Sequence, residues 1–418
     1  MISSPDGHPG RWRVLALLSL AELLVMSVWF TASAIGPELQ ARWNLSGVEV
    51  GWLTTAVQLG FVAGTAVAAL LNLADLVPSR LYFPVTAFSA GTANALLLFA
   101  PGFSSALVCR FLTGFFLAGV YPPAMKMVST WFRSARGLAI GTVVGALTVG
   151  KATPYLLKAL PDTDLGTVVL GASAAALVGG ALVLLAYREG PYPFSRAHFS
   201  WGLASRVMRH RETRLAVGGY LGHMWELYAM WTWVPAFLLA SAEAARAGGS
   251  DGPWGWVVEV AAFGAIAAGG LGCVWGGWAA DRMGRERVVN LAMAASGVCC
   301  LAVGFLFGGS FWILAPLTWV WGFFVVADSA QFSALVTEVA PSEGVGTALT
   351  LQTSLGFLLT MVTIQGLPLA VDRAGWEWAF PVLALGPLFG IGAIRRLARV
   401  RSAATPRPPP NRVEGGTA

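Results

Sequence analysis

Two acidic residues, Glu22 and Glu226, stand inside otherwise apolar runs and are the first groups whose placement invites chemistry. The run 220–235 holds Glu226 with His223 one turn before it, and the run 19–30 repeats its skeleton, Glu-Leu-x-x-Met-x-x-Trp, around Glu22. Glu22, Met26 and Trp29 precede Glu226, Met230 and Trp233 by a constant 204 residues, the register of a duplicated chain. At about 100° per residue, positions i, i+4 and i+7 share one helix face, so each acid heads a stripe that Ser19 or His223 extends. A carboxyl group kept from water holds its proton more readily than one in water, and such a group can take up and release protons. Arg110, Lys151 and Asp328 also interrupt apolar runs. In a bilayer, a central charge costs roughly 3 kcal/mol or more unless paired or hydrated. Glu22, Arg110, Lys151, His223, Glu226 and Asp328 are therefore the candidate substrate- and proton-binding residues. Arg110 also reads as a helix-end arginine, and His223 equally as a hydrogen-bond partner of Glu226. A structural pair between Glu22 and Glu226 is disfavoured, because two acids in equivalent places repel.

The elements that carry these residues must be membrane helices. Of the 418 residues, 56% are hydrophobic and 11% charged, and the mean hydropathy is +0.66. Soluble domains carry about 25% charged residues. The net charge of +6 does not imply nucleic acid, since the arginines fall in short loops between apolar runs. The four cysteines, Cys109, Cys273, Cys299 and Cys300, have no ligand-like spacing and read as packing residues. No metal, cofactor or nucleotide-binding signature accompanies the runs, which points away from an enzyme and from ATP-driven transport.

Apolar runs delimit twelve expected spans, near 12–36, 49–72, 81–100, 104–128, 136–160, 165–187, 215–240, 256–280, 287–307, 311–337, 344–370 and 375–395. The expected fold is an all-α integral membrane protein with twelve transmembrane helices in two pseudo-symmetric six-helix bundles. The first bundle is residues 1–187 and the second 215–395, joined by a basic connector, 188–214, and followed by a disordered tail, 396–418. Twenty arginines fall on the side of the termini and the connector, against Arg42, Arg246 and Arg373 on the other. The bias places both termini in the cytoplasm of a protein of the cell inner membrane.

The loop Gly277-Trp-Ala-Ala-Asp281-Arg282-Met-Gly284-Arg285-Glu-Arg287 resembles the G-x-x-x-D-R-x-G-R-x-R/K signature of the major facilitator superfamily. A weaker copy 206 residues earlier keeps Asp75 and Arg80, with Pro78 in place of the second glycine. Asp75, Arg80, Asp281, Arg282 and Arg285 are expected to form a conformational latch between helices. For Arg80 and Arg285 the simpler alternative is a topology-setting turn. Span four, with Arg110, Gly114, Gly119, Tyr121-Pro122-Pro123 and the following Trp131-Phe132, resembles the same superfamily, nearest to its nitrate, cyanate and organophosphate porters. Pro122-Pro123 is expected to kink the helix and free carbonyls. Gly141, Gly145 and Gly150 match the superfamily's antiporter motif only in part, because the expected proline is missing.

The resemblance implies alternating access, with helices one, four, seven and ten lining a central cavity shaped by Trp29, Tyr121, Trp225 and Tyr228. Trp231 and Trp233 read equally as cavity or interface-belt residues. The expected function is secondary active transport of a small molecule, proton-coupled, by a monomer in the lipid bilayer. The favoured substrate is a small organic or inorganic anion attracted by Arg110 and Lys151. The alternative is a proton-driven efflux antiporter for amphipathic or cationic drugs or metabolites, favoured by the acids and aromatics.

Overall fold

The computed structural model describes residues 8–71, 73–132, 135–192, 201–249, 253 and 255–404, without the side chains of residues 74, 75, 136, 201–203, 342 and 404. Residues 193–200 of the connector and the tail from 405 onward lie outside the described residues. Twelve principal helical segments follow one another: α1 (Arg11–Met26), α2 (Gly47–Leu70), α3 (Ser79–Phe99), α4 (Phe103–Ser129), α5 (Arg136–Lys158) and α6 (Leu165–Ala186), then α7 (Arg211–Ala247), α8 (Gly255–Met283), α9 (Arg285–Leu306), α10 (Phe311–Val339), α11 (Val345–Ala374) and α12 (Trp376–Ala403). Local chemistry sets several of their starts. Ser46 and Glu49 form a capping box at α2, with Glu49 Oε2 accepting from the Ser46 backbone N–H at 2.8 Å. Asp164 caps α6 by accepting from the Thr167 N–H at 2.7 Å.

Ten of these segments are long and apolar enough to cross a membrane. The two others are α1 and α7, the pair that carries the Glu22 and Glu226 stripes. Continuous helix in α1 stops at Met26 and resumes for one turn at Thr31–Ala34, whereas α7 runs for 37 residues with charged and polar groups along it. Both are packed within the bundle: α1 lies against α5 and α6, and α7 against α11 and α12. The helix that is broken short and the one that carries most charged and polar groups are thus the two that hold the Glu22 and Glu226 stripes.

The packing repeats. In the first half, α2 packs on α4, α3 on α4 and α6, and α1 on α5 and α6. The same five pairs recur six helices later, as α8 on α10, α9 on α10 and α12, and α7 on α11 and α12. The principal contacts between the halves, α5 with α8 and α2 with α11, exchange under the same shift. At the α5–α8 crossing, a Cβ on Gly145 or Gly270 would stand 2.9 Å from the other glycine's carbonyl oxygen, so only glycine permits this approach.

Three helices are interrupted at mid-length, and each break lies beside a candidate residue. α1 breaks at 27–30, α4 turns at 118–120, and α10 breaks at Asp328. The expected kink at Pro122-Pro123 takes the form of a restart. Tyr121 opens the second piece of α4, so the prolines occupy a first turn where their missing N–H costs little.

Candidate functional site

Lys151, on α5, is 3% exposed and reaches across the interface between the halves. Its Nζ donates to Tyr228 Oη of α7 at 2.7 Å. The ammonium also lies 4.1 Å from the ring centroid of Trp29, 4.9 Å from that of Tyr228 and 5.1 Å from that of Trp231. Aromatic faces carry negative charge density and hold a cation that has lost its water. Phe61 and Phe357 extend the cage, with centroids 5.1 Å apart, and Tyr121 packs on Phe61 at 6.4 Å. The break in α1 is what turns Trp29 toward this centre from a helix that otherwise packs on α5 and α6.

Glu22 belongs to the same neighbourhood. It is 0% exposed, within Coulombic reach of Lys151, and neither carboxyl oxygen receives a hydrogen bond among the described residues. A buried acid without donors is a poor anion, so this geometry suits a group that is neutral in one step of a cycle and charged in another.

Arg110 is equally buried, but its donors are engaged. Nη1 donates to Val28 O at 3.0 Å and to Asn94 Oδ1 at 2.9 Å, Nη2 to Trp29 O, and Nε to Leu53 O at 3.5 Å. Val28 and Trp29 lie in the break of α1, where carbonyls have lost their helical partners. The guanidinium therefore replaces those partners and ties α1, α2 and α3 to α4.

Glu226 faces away from Lys151. It accepts from Trp321 Nε1 at 2.6 Å, Ser296 Oγ at 2.9 Å and Cys300 Sγ at 3.0 Å, which joins α7 to α9 and α10. Cys300 accordingly does more than pack. His223 pairs with α10 rather than with Glu226. Its Nε2 is 2.9 Å from Ser329 Oγ and its Nδ1 is 2.9 Å from Asp328 Oδ1. That second contact has the distance of an ion pair without the alignment of a hydrogen bond, and Asp328 Oδ1 is otherwise unbonded.

Of the aromatics expected at the cavity, Trp29 and Tyr228 meet around Lys151 and Tyr121 packs behind them on Phe61, while Trp225 Nε1 donates to Val382 O on α12, 3.2 Å away. Trp231 and Trp233 are interior, and Trp233 Nε1 bonds Ile364 O of α11 at 2.9 Å. The six candidate residues thus fall into a central pair, Lys151 and Glu22, a brace, Arg110, and two clusters in the second half.

At the expected latch, Asp281 is exposed, and no ion pair to it occurs among the described residues. The side chain of Asp75 lies outside the described residues, and Arg80 Nε donates to Leu184 O at 3.2 Å. Arg282 stacks on Trp278 of its own helix, 4.0 Å from the ring. Arg285 does form a tie, to Glu338 at 2.6 Å and to Gln331 at 2.7 Å, and Arg401 links Glu286 at 2.6 Å with Glu338 at 3.5 Å. This network binds α9, α10 and α12 within the second half.

Besides Lys151–Tyr228, further polar contacts between the halves lie on residues that sequence reasoning did not place at the site. Thr360 donates to Gln58 at 2.6 Å, and the Gln365 amide meets Thr55 at 2.9 Å. Lys158 lies 3.2 Å from Glu38, 3.3 Å from Glu259 of α8, and donates to Ala34 O at 2.8 Å. The Lys158 contacts lie at the end of the interface remote from the 283–285 loop. The available signal was Lys158 itself, one of three lysines, which reads as a snorkelling residue in sequence.

This helical architecture, with its repeated packing and interrupted helices about a buried charge, defines a membrane transporter fold. The chain belongs to the Major Facilitator Superfamily, whose family description it matches over residues 18–362. It is similar to a probable nitrate/nitrite antiporter, NarK1, of Thermus thermophilus, at 28% identity over 39% of this chain and 38% of that protein. It also resembles the puromycin resistance protein pur8 of Streptomyces alboniger, at 32% identity over 37% of this chain and 30% of that protein. The matched segments therefore cover well under half of these two relatives. A match to the 4-hydroxybenzoate transporter PcaK of Pseudomonas aeruginosa spans 91% of this chain and 90% of that protein at 23% identity. The protein is a multi-pass membrane protein of a family of transporters, which bind small-molecule substrates and are not enzymes.

Proposed function

We propose that this protein is a proton-coupled secondary transporter of a small organic anion, whose negative group binds Lys151 and whose body packs between Trp29, Phe61, Tyr228 and Phe357. The observation that carries this reading is the Lys151–Tyr228 hydrogen bond of 2.7 Å across the two halves. A substrate anion competes with the Tyr228 hydroxyl for the ammonium, so binding changes a contact on which the halves meet. A protein that alternates between two arrangements needs such differential contact. Aromatic walls favour a flat carboxylate over a bare inorganic anion, since ring faces add dispersion area that nitrate does not use. The relatives named for 4-hydroxybenzoate and for nitrate support an anion in general.

Glu22 is the proposed proton carrier. With Lys151 unoccupied, the ammonium is its counter-charge. When a substrate anion neutralises Lys151, Glu22 loses that partner and takes a proton, so anion and proton move together. His223 and Asp328 face each other at 2.9 Å on α7 and α10. The protein works as a monomer in the cell inner membrane with both termini cytoplasmic, in keeping with the twenty-to-three distribution of arginines.

The efflux reading is supported by the carboxylate of Glu22, which receives no hydrogen bond among the described residues and would attract a cationic compound. The two readings separate in a thermal-shift experiment on purified protein. Benzoate-class anions raise the melting temperature of the wild type and not of Lys151→Met if the substrate is an anion. Stabilisation by cationic drugs alone, lost in Glu22→Gln, supports efflux instead.

A further inference from the structure

On the outer flank of the second half, the start of α7 and the last turns of α12 enclose a cleft of about 470 Å³ lined by Arg211, Arg214, Leu215 and Arg396. All three arginines are exposed, and none has an ion-pair partner among the described residues. Arg211 and Arg214 are one turn apart on α7, so both guanidinium groups serve one face. Arg396 continues a stripe on α12 that includes Leu385, Phe389 and Gly392, at spacings of four, three and four residues. Leu385 and Phe389 are 57% and 61% exposed, as expected of side chains that meet lipid. A Cβ on Gly392 would meet nothing within 4 Å, and Phe389 lies beside Gly218 of α7. The three arginines therefore stand at the end of an exposed apolar stripe of α12 in which Gly392 leaves an open groove beside Phe389.

We propose that this cleft is a binding site for an anionic phospholipid, with the headgroup phosphate held by Arg211, Arg214 and Arg396 and an acyl chain lying along Gly392 and Phe389. Guanidinium groups bind phosphate oxygens in pairs, and three on one cleft match a doubly coordinated phosphodiester. Charge complementarity and the apolar floor select the occupant jointly. A free phosphate uses the arginines and leaves the groove empty, whereas a zwitterionic lipid fills the groove and brings its own cation among the arginines. The site is remote from Lys151 and takes no part in the proposed transport chemistry.

The test uses the full-length protein in detergent, titrated with phosphatidylglycerol or phosphatidylcholine and read by native mass spectrometry. Wild type is expected to retain phosphatidylglycerol preferentially. Each Arg→Gln change at 211, 214 and 396 should lower that preference on the order of fivefold. Gly392→Leu should weaken it with all three arginines intact. Size-exclusion profiles that match the wild type establish that the variants fold. Equal retention of both lipids by the wild type overturns the proposal, as does an undiminished preference in the triple glutamine variant. Displacement of the lipid by millimolar inorganic phosphate, with no effect of Gly392→Leu, assigns the cleft to free phosphate and equally overturns it.

Discussion

Lys151 and Tyr228 meet at 2.7 Å, one from each half of the chain, with the ammonium also 4.1 Å from the Trp29 ring. A charge at this depth touches one hydroxyl and the faces of three rings, with no carboxylate in direct contact among the described residues, so it keeps donors for a ligand. Tyr228→Phe removes the hydroxyl and leaves the ring. A hydrogen bond to a charged group contributes about 1.5–3 kcal/mol. Because the tyrosine competes with the substrate for the same ammonium, this variant should bind anion at least as tightly as wild type while turning over more slowly. Uptake kinetics separate the two effects, and a raised KM with unchanged kcat would contradict the competition.

Glu22→Gln should carry anion without proton. In wild type, acidification of the side from which the anion enters raises the rate, because Glu22 must be protonated to travel with a neutralised Lys151. In the glutamine variant the rate should be flat with pH across the same range. A pH profile that matches wild type in this variant removes Glu22 from the coupling.

Arg110→Lys should damage folding more than recognition. Lysine cannot bridge Val28, Trp29, Leu53 and Asn94 together, and a buried carbonyl left without a donor costs about 1–3 kcal/mol. A lowered melting temperature with unchanged anion affinity in the folded fraction is the expected result. Normal stability with lost affinity would return Arg110 to the role of substrate ligand.

Glu226→Ala strands three buried donors, those of Ser296, Cys300 and Trp321. A buried donor left without a partner costs about 1–3 kcal/mol, so the variant should melt several degrees lower. Glu226→Gln can still accept from Trp321 and should lose less. If Glu226→Gln abolishes the pH dependence while stability holds, the acid is a proton carrier and not an anchor.

Lys158 binds Glu38 and Glu259 on opposite halves. Lys158→Ala should favour opening of the remote end of the interface. A cysteine placed at Thr232, which lines the small cleft there together with Lys158 and Glu259, should label faster with a membrane-impermeant maleimide in this background. Unchanged labelling would show that the cluster does not hold the interface closed.

Much of the fold was legible in the sequence. The repeat of Glu-Leu-x-x-Met-x-x-Trp at 204 residues anticipates the recurrence of all five helix pairs, and Pro122-Pro123 marks the restart of α4. Helical periodicity places Glu22 and Glu226 on equivalent faces but does not say what surrounds each one. The difference lies in the neighbours. Ala90 and Asn94 stand 206 residues before Ser296 and Cys300. Alanine has no donor, and Asn94 is turned to Arg110 and Ser173, so Glu22 lacks the bonds that hold Glu226. Likewise Lys151 corresponds at the same offset to Phe357, which leaves a single cation facing an aromatic ring across the centre. The partners of Arg110 were hidden for a related reason, since carbonyls freed by a helix break have no signature in the side-chain sequence.

Accumulation of a radiolabelled benzoate-class anion in proteoliposomes under an imposed pH gradient, acidic outside, is the most direct test of proton-coupled anion transport through Lys151 and Glu22. Wild type should concentrate the anion above its external level, Lys151→Met should take up none, and Glu22→Gln should only equilibrate it. Accumulation that persists in Lys151→Met, or a gradient that drives an organic cation and leaves every anion unmoved, would contradict it.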